Sequence, residues 1–243
     1  MSKGYEVLPE FLSGRFETLQ SAKEVASRYS NGLNSFTSSR WLKKQESFWN
    51  ESLSGNFPRP STLPEIIEKS KTKTVCELGG GSGWIWNLIG SEVKRDLKYI
   101  NIELAETSEY FKNLAHIDPA IRFTSSLEDL ELNSIFQLML YSNSTIQYID
   151  DSVIKEIFRK LDSCSEVLLD ELIFTDFASY WTLQEYYGSK IPYFVRNKSD
   201  FLNFMGTLGF MSQTQEFPKR NIPTGDELCR SYFTENIYLM KTC

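Results

Sequence analysis

The stretch TVCELGGGSGWIW, residues 74–86, decides the fold of this chain. A short apolar run contains Glu77 and leads into alternating glycines, Gly79, Gly81 and Gly83. A chain that leaves a buried parallel strand must turn sharply into the next helix, and glycine permits that turn and lets a ligand approach the backbone. The amide N–H groups at the start of a helix attract a polar or anionic group. The stretch therefore predicts a strand, a ligand-binding turn and a helix.

Strand-like and helical segments alternate after this stretch. The further strand-like runs are YINIEL (99–104), IRFTSS (121–126), FQLMLYSN (136–143) and EVLLDELIF (166–174). Residues 150–163 predict a helix with Val153, Ile157 and Leu161 on one face, and residues 199–210 predict another helix. The runs MSQTQEF and ENIYLMKT predict a closing antiparallel pair. This alternation is typical of an α/β fold with a doubly wound, mostly parallel seven-stranded sheet.

The N-terminal part of the chain has a different pattern, because residues 1–70 show no strand alternation. Ser38 or Ser39 is the expected cap of a helix over RWLKKQESFWNESL. Its predicted buried face consists of Trp41, Leu42, Gln45, Phe48, Trp49 and Ser52. Gly55 and three prolines mark a break before residue 65. We predict a helical extension or lid over residues 1–64 and a ligand-binding domain over residues 65–243.

Composition disfavours several classes of protein. The net charge is −6 with no long basic run, which argues against nucleic acid as the main partner. The chain has one histidine, His116, and four cysteines without a C-x-x-C pair, so no metal site is expected. The N-terminus lacks the apolar core of a signal peptide, and no apolar run is long enough to span a bilayer. We expect a cytoplasmic protein, and its oligomeric state stays open.

The spacing of the glycines narrows the choice of ligand. A dinucleotide fingerprint read from Gly79 needs a glycine where Trp84 stands, and the register from Gly81 meets Trp86. The lysine of a phosphate-binding Walker loop is absent as well. The remaining pattern, E-x-G-x-G-x-G over residues 77–83, resembles the nucleotide loop of class I S-adenosylmethionine (SAM) dependent methyltransferases. This resemblance implies a Rossmann-like class I methyltransferase fold with SAM as cofactor.

A second carboxylate supports this interpretation. Glu103 lies 26 residues after Glu77, at the end of the next strand-like run, where a carboxylate can accept hydrogen bonds from both ribose hydroxyls. The alternative is a solvated glutamate at a strand end. Leu104 is expected to cover adenine, and neighbouring strand ends supply polar groups. The predicted cofactor site comprises Glu77, Gly79, Gly81, Gly83, Glu103, Leu104, Ser125, Ser126, Ser142 and Asn143.

Ordered blocks from about residue 74 to the end resemble a methyltransferase family found in bacterial gene clusters for surface polysaccharides. These blocks are ELGGGSG, YINIE, FTSSLED, SNSTIQYIDD and DELIFTDFASYWTLQEYYGSKIPYFV. The chain departs from the family at Glu77, where Asp is usual, and at Glu171, which replaces a basic residue. The resemblance implies methyl transfer to an oxygen or nitrogen of a small molecule or sugar, including a nucleotide-linked sugar.

The catalytic residues are the least constrained prediction. We expect Asp170 first and Glu171 second as general base, because both are assigned to the end of the fifth predicted strand, on the ligand side of the sheet. The acceptor pocket is predicted to include Tyr148, Tyr180, Trp181 and Tyr187, with simple packing as the alternative. Arg40 and Lys43 or Lys44 would reach an anionic acceptor if the N-terminal helix folds over the site. The competing functions are a SAM-binding protein without catalysis and a dinucleotide-dependent oxidoreductase.

Overall fold

A computed structural model describes residues 12–29, 36–56, 61–114, 116–128, 137–186, 189–213, 220–221 and 233–242. The strands are β1 (Leu12–Phe16), β2 (Thr74–Leu78), β3 (Lys98–Ile102), β4 (Ile121–Thr124), β5 (Leu138–Asn143), β6 (Cys164–Thr175), β7 (Tyr180–Tyr186), β8 (Ser189–Asn197), β9 (Phe210–Ser212), β10 (Arg220–Asn221) and β11 (Phe233–Lys241). The helices are α1 (Leu19–Ala26), α2 (Ser39–Leu53), α3 (Leu63–Lys69), α4 (Ser91–Lys94), α5 (Ala105–Lys112), α6 (Asp151–Lys160) and α7 (Lys198–Thr207). Within the described ranges, 3₁₀ turns lie at Trp84–Leu88 and Ile146–Tyr148.

A parallel sheet forms the centre of the molecule, as the sequence predicts. Its strands run in the order β4-β3-β2-β5-β6, and each neighbouring pair is parallel. β11 pairs antiparallel with β6 and with β9, which confirms the predicted closing pair. β2 lies between β3 and β5, so the glycine turn emerges where strand order changes direction. In open α/β sheets ligands bind at this switch point.

Four of the described strands lie beyond the seven that were predicted: β10, which pairs antiparallel with β11, and β1, β7 and β8. β7 and β8 form an antiparallel hairpin, β1 pairs antiparallel with β7, and β8 joins the end of β6 in parallel. The tip of the hairpin, residues 187–188, lies outside the described residues. The expectation of a purely helical N-terminal segment is wrong at β1, a five-residue strand that forms only because β7 supplies its partner.

Both faces of the sheet are covered, so its central strands are buried along almost their whole length. One face packs against α6 and α7 through Ile154, Ile157, Phe158, Phe201 and Met205. The other packs against α2 and α3 through Trp41, Phe48, Trp49, Leu63, Ile66 and Ile67. The division at residue 64 stays a prediction, and in the structure it falls within the first turn of α3. No helix among the described residues is long and apolar enough to cross a membrane.

Two predicted helices match the structure closely. The Ser38 side chain accepts a hydrogen bond from Trp41 N and caps α2, which buries all of its predicted face except Leu42. Asp150 caps α6 by accepting from Ser152 N. The predicted apolar face of α6 is wrong at Val153, which is 50% exposed, because the helix turns Ile154 and its neighbours to the core.

The expected helix after the glycine turn is replaced by a short 3₁₀ turn, Trp84–Leu88. Trp84, Ile85 and Trp86 are all buried. Three consecutive residues cover more than half the circumference of an α-helix, so one packed face cannot bury them all. The 3₁₀ turn is covered from more than one side, since the Trp84 ring packs against Phe48 and the Trp86 ring against Tyr99, and α4 then adds only four residues.

Candidate functional site

A cleft of about 460 Å³ opens beside the glycine turn, in the size range of small-molecule sites. Strand ends and the segments after them supply Glu77, Leu78, Gly79, Gly80, Ile102, Glu103, Leu104, Ser125, Asn143, Ser144 and Thr145. The other lining residues are Phe36, Trp41, Gln45, Phe48, Trp84, Ile85, Tyr148, Ile149, Val153, Ile157 and Tyr186. The cleft thus joins the carboxyl ends of β2, β3 and β5 to the N-terminal segment.

The glycines of the turn have two different tasks. Gly79 and Gly81 have φ angles of 71° and 58°, a region that favours glycine. A Cβ at Gly79 would lie 2.3 Å from Thr145 Oγ1, and one at Gly81 would lie 2.1 Å from Gln45 Oε1. Gly79 lines the cleft, whereas Gly81 and Gly83 do not and instead shape the turn. The sequence therefore predicted the turn correctly but not which glycines face the ligand space.

Side chains of β3 and the residue after it hold the turn in place. Gly80 N donates to Asn101 Oδ1 at 3.3 Å, and Asn101 Nδ2 donates to Gly81 O at 3.0 Å. Gly81 N donates to Glu103 Oε1 at 2.7 Å, and Leu104 N donates to Glu103 Oε2 at 3.1 Å. Burial raises the pKa of Glu103 to about 7 against these donors. The turn amides are thereby engaged by the protein itself, and Asn101 is a contributor that the sequence did not reveal.

Glu77 is buried in the wall of the cleft with 1% of its surface exposed. Tyr99 Oη donates to Glu77 Oε2 at 2.8 Å, and Glu77 Oε1 has no hydrogen-bond partner. Burial raises the pKa of Glu77 to about 8. A buried carboxylate oxygen without a donor is costly, and a cation or a strong donor in the cleft would offset that cost.

The charges around the cleft are of one sign. Among the described residues, the lining contains the carboxylates Glu77 and Glu103 but no lysine, arginine or histidine. Arg40 and Lys43 are exposed outside the cleft, and Lys44 lies over the Phe48 ring at 4.5 Å. The cleft therefore suits a neutral or cationic ligand better than an anion.

Four aromatic side chains form what we call the aromatic wall: Phe36, Trp41, Tyr148 and Tyr186. The Phe36 ring centroid lies 5.1 Å from that of Tyr148, 5.0 Å from that of Tyr186 and 5.9 Å from that of Trp41. Trp41 Nε1 donates to Tyr186 Oη at 2.8 Å, and Tyr148 Oη donates to the Gln184 side chain. Of these four, only Tyr148 was predicted as a site residue. Trp41 was identified on its helix face, but nothing in the sequence showed where that face packs.

The remaining predicted cofactor residues divide between the cleft and its surroundings. Leu104, Ser125 and Asn143 line the cleft, and Leu104 is 46% exposed. Ser126 and Ser142 do not line it, since Ser126 bonds to Glu128 and Ser142 is buried.

Two of the aromatic residues predicted for the acceptor pocket pack elsewhere. Tyr180 belongs to a core cluster with β1 and β8 residues, and Trp181 stacks on Phe194 at 4.7 Å. Tyr187 lies outside the described residues.

The two carboxylates predicted as general bases do not line the cleft. Asp170 is fully buried, and its carboxylate accepts from Thr62 N at 2.8 Å, Thr62 Oγ1 at 2.5 Å and Tyr141 Oη at 3.1 Å. Glu171 has a φ of 58° at a β-bulge, where its N–H donates to Asn236 Oδ1. The geometry engages Asp170 in holding the start of α3 to β6. The catalytic roles of Asp170 and Glu171 stay predictions that gain no support from these positions.

No metal-binding group emerges from the described part of the chain, in which no three His, Cys, Asp or Glu side chains cluster suitably. His116 is exposed and does not line the cleft. Cys76 and Cys164 are buried free thiols, while the other two cysteines lie outside the described residues.

No family model matches the chain, and no curated protein matches it in sequence. Solved structures do share its fold. The 1,6-didemethyltoxoflavin-N1-methyltransferase of Burkholderia thailandensis is 10% identical over 95% of this chain and 93% of its own, with a TM-score of 0.54. Mitomycin 7-O-methyltransferase MmcR is 12% identical over 92% and 66%, with a TM-score of 0.51. The O-methyltransferase NcsB1 from neocarzinostatin biosynthesis is 14% identical over 92% and 66%, with a TM-score of 0.50.

These structural neighbours are class I SAM-dependent methyltransferases. The likeness is one of fold, and it agrees with the strand order and the closing antiparallel strand described above. The chain therefore has the Rossmann-like fold of class I methyltransferases.

Proposed function

We propose that this protein is a SAM-dependent methyltransferase that acts on a small molecule. The observation that carries the proposal is the position of Glu77. Glu77 lines the cleft beside the glycine turn and has one buried carboxylate oxygen without a hydrogen-bond partner, and Glu103 lines the same cleft from the neighbouring strand end. SAM carries an ammonium and a sulfonium group, so it has the charge that this cleft lacks.

The residues present fit the parts of this cofactor. Glu77 would accept from the ammonium group, and Glu103 would accept from the ribose hydroxyls with lone pairs that its backbone donors leave open. Leu104 offers an exposed apolar side chain for the adenine ring. Gly79 and Gly80 allow the ligand to approach the backbone, since neither places a side chain in the cleft.

Two structural neighbours hold a related ligand in the same fold. The Burkholderia enzyme was crystallised with S-adenosylhomocysteine and 1,6-didemethyltoxoflavin, and NcsB1 with S-adenosylhomocysteine and 1,4-dihydroxy-2-naphthoic acid. These ligands belong to those proteins. Together with the charge of the cleft, they support SAM as the cofactor and a small molecule as the acceptor here.

In this proposal the protein contributes to catalysis by positioning the methyl donor and the acceptor. Bound SAM supplies a methyl group on a positively charged sulfur. The chain's own residues hold donor and acceptor at close distance, exclude water with the apolar lining, and stabilise positive charge with carboxylates and aromatic faces. In the described lining, Glu77 and Glu103 are the only carboxylates, and both serve the donor in this proposal.

The competing functions differ in what the cleft must bind. A dinucleotide would place a pyrophosphate against two carboxylates and turn amides that are already engaged, which disfavours an oxidoreductase. A nucleotide-linked sugar has the same difficulty, so a role in polysaccharide synthesis gains no support from the cleft. A SAM-binding protein without catalysis remains the second candidate, because no described lining residue outside the proposed donor site is an evident base.

Calorimetry with purified protein tests the proposal. We expect saturable binding of SAM and S-adenosylhomocysteine, a higher melting temperature with either, and no response to NAD. Glu103→Ala should weaken cofactor binding by about 1–3 kcal/mol, the loss expected for hydrogen bonds to a charged group. Glu92→Ala, a surface glutamate paired with Arg95, is the matched control. Binding of NAD without SAM would refute the cofactor assignment, whereas unchanged SAM affinity in Glu103→Ala would refute the ribose role of Glu103.

A further inference from the structure

We infer that the methyl acceptor is an uncharged, planar aromatic molecule that packs against the aromatic wall. This inference rests on the proposed function and deepens it by naming the substrate class. The wall unites Phe36 and Trp41 from the N-terminal segment, Tyr148 from the turn after β5, and Tyr186 from β7. Its members meet edge to face or tilted, which leaves ring faces at different angles for a flat ligand.

The wall is adjacent to the glycine turn. Thr145 Oγ1 donates to Gly79 O at 3.3 Å, and Tyr148 follows three residues later in the 3₁₀ turn that ends at it. Phe36, Tyr148 and Tyr186 are each half-buried, so part of each side chain stays accessible. An acceptor on this wall would therefore lie next to a donor whose ammonium reaches Glu77.

Several hydrogen-bond donors of the wall and of the residues beside it are used by the protein itself, which argues against a sugar. Asn143 Nδ2 donates to Tyr141 Oη, and Thr145 Oγ1 donates to the Gly79 and Asn143 carbonyls. The Trp41 indole N–H and the Tyr148 hydroxyl donate to Tyr186 and Gln184. A carbohydrate needs many partners for its hydroxyls, since each one buried without a hydrogen bond costs free energy. A flat apolar ring needs few hydrogen-bond partners.

The lack of an evident general base in the described lining limits which kind of acceptor atom can be methylated. With no evident base among the described lining residues beyond the two proposed donor-site carboxylates, the acceptor must activate itself, as a phenol-type oxygen or a ring nitrogen can. A phenol-type acceptor binds uncharged, and its proton passes to the solvent at the mouth of the cleft as the transfer proceeds. Its oxygen forms the new bond to the methyl carbon while the carbon–sulfur bond breaks, and that electron pair stays on sulfur. An alcohol of a sugar is a far weaker acid and would need a base beside it.

Ligand binding in the presence of S-adenosylhomocysteine tests the substrate class without requiring turnover. Protein saturated with this cofactor product is titrated with 2-naphthol, indole and 7-hydroxycoumarin at a pH that keeps them uncharged, with intrinsic tryptophan fluorescence as the signal. Methyl glucoside and uridine diphosphate glucose are the comparison ligands. We expect saturable quenching by at least one aromatic probe and none by either sugar. Binding of a sugar with failure of all three aromatic probes would overturn the inference.

Variants locate the binding on the wall. Tyr148→Leu and Tyr186→Leu should each weaken the aromatic probe by about tenfold. Tyr29→Leu, the same change at an exposed tyrosine distant from the lining, should leave it unchanged. The affinity for S-adenosylhomocysteine is measured on every variant as a test of an intact fold. It should stay within about twofold of the value for the unmodified protein. Full probe binding in both wall variants contradicts the inference, whereas failure of the cofactor to bind the unmodified protein contradicts the proposed function instead.

Discussion

Glu77 places a carboxylate near the carboxyl end of β2, where burial disfavours its negative charge. Burial raises its pKa to about 8, and the Tyr99 hydroxyl only partly opposes that rise. Such positions are often functional, because a charge that is costly in the free protein becomes useful when a ligand supplies its partner. The same residue should therefore affect stability and cofactor affinity in opposite directions.

We predict that Glu77→Gln stabilises the free protein and weakens SAM binding. The folded pKa lies above the ordinary value of 4.5, so the stability contributed by protonated Glu77 is fully present below about pH 4.5 and is lost as pH rises through about 8. At pH 9 the variant should exceed the unmodified protein by about 1–3 kcal/mol, while SAM affinity falls by a similar amount. Thermal melts and calorimetry measure both, with Glu92→Gln as control. A variant that loses stability at alkaline pH contradicts this role.

Asp170 shows the limit of reasoning from a motif at the residue scale. Its place late in an apolar strand predicted a base at the ligand edge, yet Thr62 and Tyr141 surround its carboxylate. A strand pattern says which residues alternate in direction but not what covers them. The segment before α3 covers Asp170, and the sequence around Asp170 does not predict that contact.

At the scale of elements, α2 and the glycine turn depend on each other. The Gln45 side chain occupies the space that a Cβ at Gly81 would need, and the Ser82 hydroxyl donates to Gln45 O at 2.8 Å. α2 also supplies Trp41 and Phe48 to the cleft. The helix therefore positions the turn from one side while β3 holds it from the other.

We predict that Gly81→Ala destabilises the protein more than Gly55→Ala. Both glycines have positive φ, 58° and 77°, so both substitutions cost about 1–2 kcal/mol of backbone strain. Only Gly81 adds a clash with Gln45, since nothing lies within 4 Å of a Cβ at Gly55. Gln45→Ala should remove the excess in a double-mutant cycle measured by denaturant unfolding. Equal costs at the two glycines, or strict additivity with Gln45→Ala, would show that α2 does not constrain the turn.

The β7–β8 hairpin is a second element that decides the site. It carries Tyr186 and Gln184 to the cleft side and holds Trp41 through the Tyr186 hydroxyl. Its sequence is rich in aromatic residues, which suggested an acceptor pocket. Most of these rings instead pack in cores with α1 and β1, so only part of the hairpin faces the ligand space.

At the scale of the whole molecule, stability and cofactor binding should follow opposite trends with pH. Folding raises the pKa of Glu77 to about 8 and that of Glu103 to about 7, so both favour the folded protein when protonated. SAM binding in the proposed mode requires both ionised, which makes binding release protons below these values. The protein then binds its cofactor best where its own fold is less stable.

We predict that SAM affinity rises between about pH 6 and pH 8 and levels off above. The slope should reach about tenfold per pH unit for each proton released, while the melting temperature of the free protein falls over the same range. Calorimetry in buffers of different ionisation enthalpy counts the protons directly, and Glu77→Gln should remove one of them. Affinity that is constant or falls over this range would contradict the charge assignment of the cleft.

The alternation of strands and helices, the glycine turn and the carboxylate at the end of the second predicted strand followed from sequence alone. These features depend on local rules, because apolar periodicity, glycine at positive φ and polar residues at strand ends are each encoded within a few residues. The same rules identified the cap of α2 and most of its buried face.

Only the tertiary structure decided which residues meet in the cleft. Phe36, Trp41 and Tyr186 come together from segments up to 150 residues apart (36 to 186), and β1 exists only because β7 pairs with it. The same packing buries Asp170 beneath Thr62 and leaves Glu77 without a donor for one oxygen. Such contacts depend on long-range packing and desolvation, which a local pattern in the chain does not encode.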